Sequence, residues 1–216
     1  QPGQFYMLAA VDRWGGGAEE RPFLPRAFSV LRARSGRLSF LFDDVGPGTN
    51  RLMELEREDE VWLMGPLGAG WRPSERRPVL VGGGVGVAPL AALADTLADP
   101  LVLLGFRDAQ HAAAAQLFAD AEVATDDGSV GHHGLVTDLL PADLSDVELL
   151  ACGPPAMLEA IRALGVPAQL ALESGMACGF GACFGCVTPL AAGGYARVCV
   201  DGPVFAAADL AEVPAH

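Results

Sequence analysis

Short apolar runs separated by polar turns fill the first third of the chain. Phe5-Tyr6-Met7-Leu8, Ala27-Phe28-Ser29-Val30, Leu38 to Phe42 and Val61-Trp62-Leu63-Met64 are divided by Gly-, Pro- and Asp-rich segments. That rhythm predicts strands of a small antiparallel barrel. Arg72-Pro73-Ser74-Glu75-Arg76-Arg77-Pro78 is polar and flanked by prolines, and beyond it the pattern changes. Val79-Leu80-Val81 runs into Gly82-Gly83-Gly84-Val85-Gly86 and then a helical stretch, Ala88 to Leu97. Strands follow at Leu101 to Leu104, Glu122 to Ala124, Glu148 to Ala151 and Ala168 to Leu172, with helices at His111 to Ala119 and Pro154 to Leu164. Strands alternating with helices predict a parallel sheet covered on both faces, and the continuous apolar strands suit burial on both sides. From Glu173 onward the chain is rich in loop residues. The pattern divides the chain into a β-barrel domain (1–74), a parallel α/β domain (75–172) and a small C-terminal module (173–216), an α/β plus β fold class.

Composition narrows the classes of function. Of 216 residues, 51% are hydrophobic and 19% charged, which excludes a disordered chain. The net charge of −13 argues against a phosphate-backbone binder, which needs a basic stripe. The charge is also uneven. Up to Arg77 there are eleven Arg and eleven acids, whereas from Pro78 onward three Arg face sixteen acids. No basic start followed by an apolar run lies between Gln1 and Phe23, and an opening Gln in place of Met points to a trimmed amino terminus. The 23 residues between Glu173 and Arg197 carry no charge, but six Gly, three Cys and Pro189 interrupt any spanning helix.

Five cysteines in an acidic chain without a leader point to a reducing, cytoplasmic setting, where clustered thiols bind metal more often than they pair. Cys178, Cys183, Cys186 and Cys199 are separated by four, two and twelve residues, the plant-type ligand spacing of a [2Fe–2S] cluster. Gly179, Gly181 and Gly185 permit sharp turns and let amide N–H groups approach sulfur. A structural zinc site also takes four thiolates, usually as two short knuckles, and here Cys183 and Cys186 alone form one. A Rieske centre needs two histidines, and none lies between Cys178 and Cys199.

The run Gly82 to Pro89 follows a strand and opens a helix, the placement in which N–H groups hold a pyrophosphate; Gly83, Gly84 and Gly86 are its candidate residues. A run of this kind also serves close packing alone. Cys152-Gly153-Pro154-Pro155 ends a later strand, where ligands of open parallel sheets bind, although a lone cysteine is commonly a small buried hydrophobe. Asp126 and Asp127 follow another strand and suit either ribose hydroxyls or a solvated turn. His132-His133 reads as loop. Nicotinamide exchanges electrons as hydride and the cluster passes them singly, so a carrier competent in both modes, usually flavin, must stand between them. Arg26-Ala27-Phe28-Ser29 and Gly46-Pro47-Gly48-Thr49 offer a cation, a hydroxyl and backbone N–H groups for it.

These segments, with Pro2-Gly3-Gln4-Phe5, Gly65-Pro66-Leu67-Gly68, Gly105-Phe106-Arg107, Thr125-Asp126-Asp127-Gly128-Ser129, Gly134-Leu135-Val136-Thr137, Glu173-Ser174-Gly175-Met176-Ala177-Cys178-Gly179 and Gly202-Pro203-Val204-Phe205, cover nearly the whole chain. Together they resemble the electron-transfer subunit of class 1B dihydroorotate dehydrogenase, within the wider ferredoxin–NADP reductase family. The resemblance implies an FAD site at Arg26, Ala27, Phe28, Ser29, Leu41, Phe42, Gly48 and Thr49, with Asp43 where relatives often carry Arg. It places a strand before Pro-Gly-Gln-Phe that this chain lacks. Arg26 is expected to counter the FAD phosphates, Ser29 to lie near the reactive flavin edge and Cys152 beside the nicotinamide of NAD. The resemblance further implies a separate FMN-containing catalytic subunit, in a heterotetramer, that supplies electrons from dihydroorotate in pyrimidine biosynthesis. The rival readings are a related NAD(P)H reductase subunit for ferredoxin, sulfide or hydrogenase chemistry, and a zinc-stabilised redox adaptor. A 2′-phosphate calls for basic residues, and the second half offers Arg107 alone near that site, which favours NAD.

Overall fold

The structure, a computed structural model, describes residues 1–15 and 22–212; the last four residues of the predicted C-terminal module, 213–216, lie outside them. Strands β1 (Phe5–Ala10), β2 (Arg26–Arg34) and β3 (Arg37–Phe40), helix α1 (Pro47–Met53) and strand β4 (Val61–Leu67) make up the first part. The strands form an antiparallel sheet in the order β3-β2-β1-β4. Central β1 is almost wholly buried, while β4 exposes Trp62, Leu63 and Met64. The four strands make one antiparallel sheet, and no pairing among the described residues joins β3 to β4. Rhythm locates strands, whereas closure depends on tilt and stagger, which local sequence does not encode.

The second sheet is built from β5 (Arg77–Gly83), helix α2 (Val87–Ala94), β6 (Leu101–Phe106), α3 (Ala109–Ala112), β7 (Glu122–Thr125), β8 (His132–His133), β9 (Val147–Cys152), α4 (Pro155–Ala163) and β10 (Ala168–Ala171). A hairpin, β11 (Val187–Pro189) and β12 (Tyr195–Arg197), precedes the last strand, β13 (Val204–Ala206). The sheet order is β13-β10-β9-β5-β6-β7-β8, parallel except for β13. The chain therefore winds outward from β5 to β8 and returns beside β5 as β9, leaving a switch point between β5 and β9 where ligands of such sheets bind. Two expectations change. The helix expected at His111 to Ala119 begins earlier, where the Asp108 carboxylate caps it by accepting from the His111 N–H at 3.0 Å, and it tightens into 3-10 turns from Ala113 to Leu117. His132-His133, expected as loop, is a short edge strand. No helix among the described residues is long and apolar enough to cross a membrane.

Period-two alternation sorts the parallel strands between two cores. Val79, Val81, Leu149 and Ala151 face α4, with Leu158 and Ile161; Leu80, Leu104 and Leu150 face α2, with Val87 and Leu90. The α4-side core also holds Phe5 and Met7 of β1 and Cys186, Val198 and Cys199 of the cysteine segment. All three parts of the chain thus share one apolar interior. Polar contacts add to it. Gln169, buried on β10, accepts from the Arg72 N–H at 2.9 Å and donates to the Arg72 carbonyl at 3.0 Å, holding the linker like an extra strand. Asp95 on the α2 side accepts from Arg32 at 2.8 Å and Arg34 at 2.7 Å, both on β2.

Candidate functional site

Two cavities meet where the sheets adjoin. The first, of 260 Å³, is walled by Phe28, Leu41 and Phe42 from the antiparallel part, Val85 and Ala88 from the glycine-rich turn and α2, and Met176. Its polar lining includes Ser29 and Glu173, whose side chains take no hydrogen-bond partner among the described residues. The second, of 630 Å³, is lined by Leu24, Arg26, Gly46, Pro47, Gly48 and Ala177 among others, and shares Ala27, Phe28, Val45, Thr49, Ser174 and Met176 with the first. Together they form one continuous cleft, with aromatic and aliphatic walls around Ser29, Asp43 and Glu173 at one end and a guanidinium at the other. That polarity suits a ring system joined to a diphosphate.

Local folding explains the charged end. Pro47 opens α1, and the buried Thr49 hydroxyl accepts from the Val45 N–H at 2.9 Å and the Gly46 N–H at 3.1 Å, closing the turn before it. A Cβ at Gly48 would lie 2.5 Å from Arg26 Nε, so the absence of a side chain is what lets the guanidinium lie across the turn. The eight residues expected to hold FAD all contribute to this cleft, whose aromatic walls and guanidinium suit a flavin dinucleotide.

The glycine-rich turn lies against the end of β9. Gly82 pairs with Cys152 in register, and a Cβ at Gly86 would stand 2.5 Å from the Cys152 carbonyl oxygen. Gly83 packs on Pro154 and Met157, whereas Gly84 has φ +53° and nothing within 4 Å of a Cβ position. Gly83 and Gly86 therefore serve close approach between strand ends, whereas Gly84 faces open space. Cys152 lies beneath this turn, 2% exposed, and lines neither cavity. Burial, reinforced by the nearby Glu173 carboxylate, pushes its thiol well above the ordinary range, so it stays neutral. Enclosure within the cleft raises Glu173 as well. Asp126 and Asp127 are exposed at the carboxyl end of β7. A hydrogen bond from Ser129 holds Asp127 below the usual carboxylate range, and its Oδ1 accepts from the Ser129 N–H at 2.9 Å.

The hairpin explains the longest cysteine gap. Val187 pairs with Arg197, and the Val198 N–H donates to the Cys186 carbonyl at 2.8 Å, which brings Cys186 and Cys199 together. Both are buried; Cys178 is half-buried and Cys183 exposed. Loop amides converge on the sulfurs. Burial opposes ionisation of Cys178, but N–H groups of Cys183, Phe180 and Ala182 and the Cys183 thiol bring it to about 6. Burial and the adjoining Cys186 thiol push Cys199 up to about 12, against an opposing Gly181 N–H. The four thiols thus stand in two pairs. Paired thiols ringed by N–H donors fit a binuclear iron–sulfur cluster, in which each iron takes two thiolates.

An NADH-dependent reduced ferredoxin–NADP oxidoreductase structure, from work on flavin-based electron bifurcation, superimposes with a TM-score of 0.79 at 26% identity, covering 97% of this chain and 79% of that one. Fold and sites together define a reductase of the ferredoxin–NADP reductase class with a cysteine loop docked on its cleft. Residues 173–211 match the iron–sulfur cluster binding domain of dihydroorotate dehydrogenase B. The dihydroorotate dehydrogenase B (NAD(+)) electron transfer subunits of Geobacillus thermodenitrificans and Clostridium acetobutylicum are 38% and 36% identical over 97% of this chain and 86% of each relative. The chain belongs to this family of electron transfer subunits.

Several residues escape a reading of the sequence. Val85 and Ala88 enter the cleft through topology alone. Arg197, whose guanidinium lies 5.3 Å from the Phe184 ring and donates to the Gly181 carbonyl at 3.3 Å, braces the cysteine loop. Glu173 had one available signal, as a lone acid closing an apolar strand and opening the uncharged stretch.

Proposed function

We propose that this chain relays electrons from a partner dihydroorotate dehydrogenase catalytic subunit to NAD+ in pyrimidine biosynthesis, with FAD and a [2Fe–2S] cluster as resident cofactors. One observation carries the reading: Ser174 and Met176 line the cleft and Cys178 follows two residues later, so a single segment joins the flavin-type cavity to the cysteine loop. When bound, the flavin exchanges electrons in pairs or singly, matching hydride exchange with nicotinamide to the one-electron chemistry of the cluster. Arg26 offsets the diphosphate charge, and Phe28, Leu41 and Phe42 exclude water from the ring end. Ser29 and Glu173 offer unpaired polar groups at the ring, Ser29 as hydroxyl donor and Glu173 as a carboxyl that holds its proton more firmly than one in water. Cys178 with Cys183, and Cys186 with Cys199, hold the cluster. Gly83, Gly84 and Gly86 shape the nucleotide turn, neutral Cys152 supports the nicotinamide side and Asp126 and Asp127 meet the ribose hydroxyls. The partner carries FMN, and the two chains assemble as a heterotetramer.

The test is co-expression with the catalytic subunit, followed by a visible spectrum, metal analysis and mass determination of the complex. Flavin bands and an iron–sulfur shoulder that bleach with dihydroorotate and with NADH are expected. Zinc without flavin establishes the adaptor reading instead, and bleaching by NADPH but not NADH establishes a different reductase.

A further inference from the structure

Trp14 stands behind the charged end of the cleft and lines neither cavity. Its ring centroid is 5.9 Å from Arg26 Cζ, within reach of a cation–π contact. The adjoining backbone is pinned: the Gly15 N–H donates to the Pro22 carbonyl at 3.0 Å, closing the base of the loop between β1 and β2. On its other sides the guanidinium donates from Nη1 to the Leu24 carbonyl and packs against Gly48. Three surfaces therefore fix one long side chain that would otherwise sample many rotamers. The Trp14 indole N–H is sealed from solvent and meets no acceptor among the described residues. An orphaned buried donor lowers stability, and a leucine of similar apolar character would avoid that cost. What indole supplies and leucine does not is a π face of negative potential.

We propose that Trp14 is a positioning residue of the dinucleotide site, holding the Arg26 guanidinium over Gly48 so that it meets the diphosphate already oriented. The proposal rests on the reading of the cleft as the FAD site. A guanidinium fixed before binding loses less side-chain entropy when the ligand arrives, and the gain appears as affinity for the phosphate-bearing ligand alone.

The test compares the full chain, after release of its flavin, with W14L, W14F, R26Q and the double variant W14L/R26Q. FAD is titrated against each, riboflavin serves as the probe without a diphosphate, and thermal unfolding is followed in parallel. W14L is expected to weaken FAD roughly three- to thirtyfold. Riboflavin binding and melting temperature should not fall, and W14F should stay within about threefold of the parent because it keeps an aromatic face. In the double variant the loss should equal that of R26Q alone, since Trp14 acts through Arg26. Additive losses, an equal loss for riboflavin, or W14F as weak as W14L overturn the proposal. If R26Q leaves FAD affinity unchanged, the cleft reading falls with it; if R26Q weakens FAD and W14L does not, the role of Trp14 alone is refuted.

Discussion

Gly86→Ala separates packing from ligand approach in the glycine-rich turn. The added Cβ would stand 2.5 Å from the Cys152 carbonyl oxygen, 2.6 Å from its carbonyl carbon and 2.7 Å from Gly153 Cα. All three are backbone atoms of a neighbouring strand end, so no side-chain rotation relieves the overlap and the turn must lift from β9. The Gly86 backbone is ordinary right-handed helix, φ −60° and ψ −9°, so conformation adds no strain. Alanine instead recovers up to about 1 kcal/mol of helix propensity. Overpacking costs about 1–3 kcal/mol, and a backbone obstacle belongs at the upper end. The net loss is about 1–2 kcal/mol, or about 2–8 °C in melting temperature for a chain of this length. Thermal unfolding and NADH titration on the same preparation check it, and both stability and affinity should fall as the turn moves. An unchanged melting temperature with NADH affinity lost would refute the packing argument and assign Gly86 to the ligand alone.

Gly179→Ala should empty the cysteine loop: φ is +79°, which costs a side chain about 1–2 kcal/mol, and the Cβ would lie 2.6 Å from Met7 Cγ. Iron per chain and the cluster's absorption should drop, while Gly185→Ala, whose Cβ would make ordinary contact at 3.5 Å, keeps both; equal iron content in the two variants refutes this. Glu173→Gln addresses pH. Enclosure raises the native carboxyl above its ordinary 4.5, so the stability it contributes is full below that value and lost as pH rises through the raised one. Melting curves of the glutamine variant and parent should converge in acid and separate in favour of glutamine toward neutral pH; a pH-independent gap contradicts the assignment.

Legibility followed the range of the interactions involved. Val79 to Val81 announces a central parallel strand because burial on both faces demands an unbroken apolar run. The cysteine gaps announce their chemistry because ligand spacing is a local constraint. By contrast, the Gln169–Arg72 pairing joins residues 97 positions apart, and neither residue carries a pattern that points to the other. Open and closed antiparallel sheets share one alternation, so rhythm locates these strands without saying whether they close. Thr49 was read through its backbone N–H, yet its hydroxyl closes the turn before α1. In the Gly82–Gly86 run, composition could not divide tight packing from an open position, because both uses demand glycine; the surroundings of each Cβ position divide them.

The uneven charge acquires a location. Beyond Pro78, where the acidic excess falls, Asp108, Asp126 and Asp127 gather at the carboxyl ends of β6 and β7. Arg107 is the cation beside them, and it is already engaged: Nε lies 3.7 Å from Asp108 Oδ2, and the guanidinium also packs against His111. Asp108 in turn is held below the usual carboxylate range, chiefly by its hydrogen bond to the His111 side chain, so it remains ionised at neutral pH. A dianionic 2′-phosphate arriving at this edge meets carboxylates around a guanidinium that already has a partner. A 2′-hydroxyl can donate to one of the same carboxylates. With the ribose at Asp126 and Asp127 as proposed, the acidity that first counted against nucleic acid would give, at this strand edge, a local preference for the unphosphorylated dinucleotide.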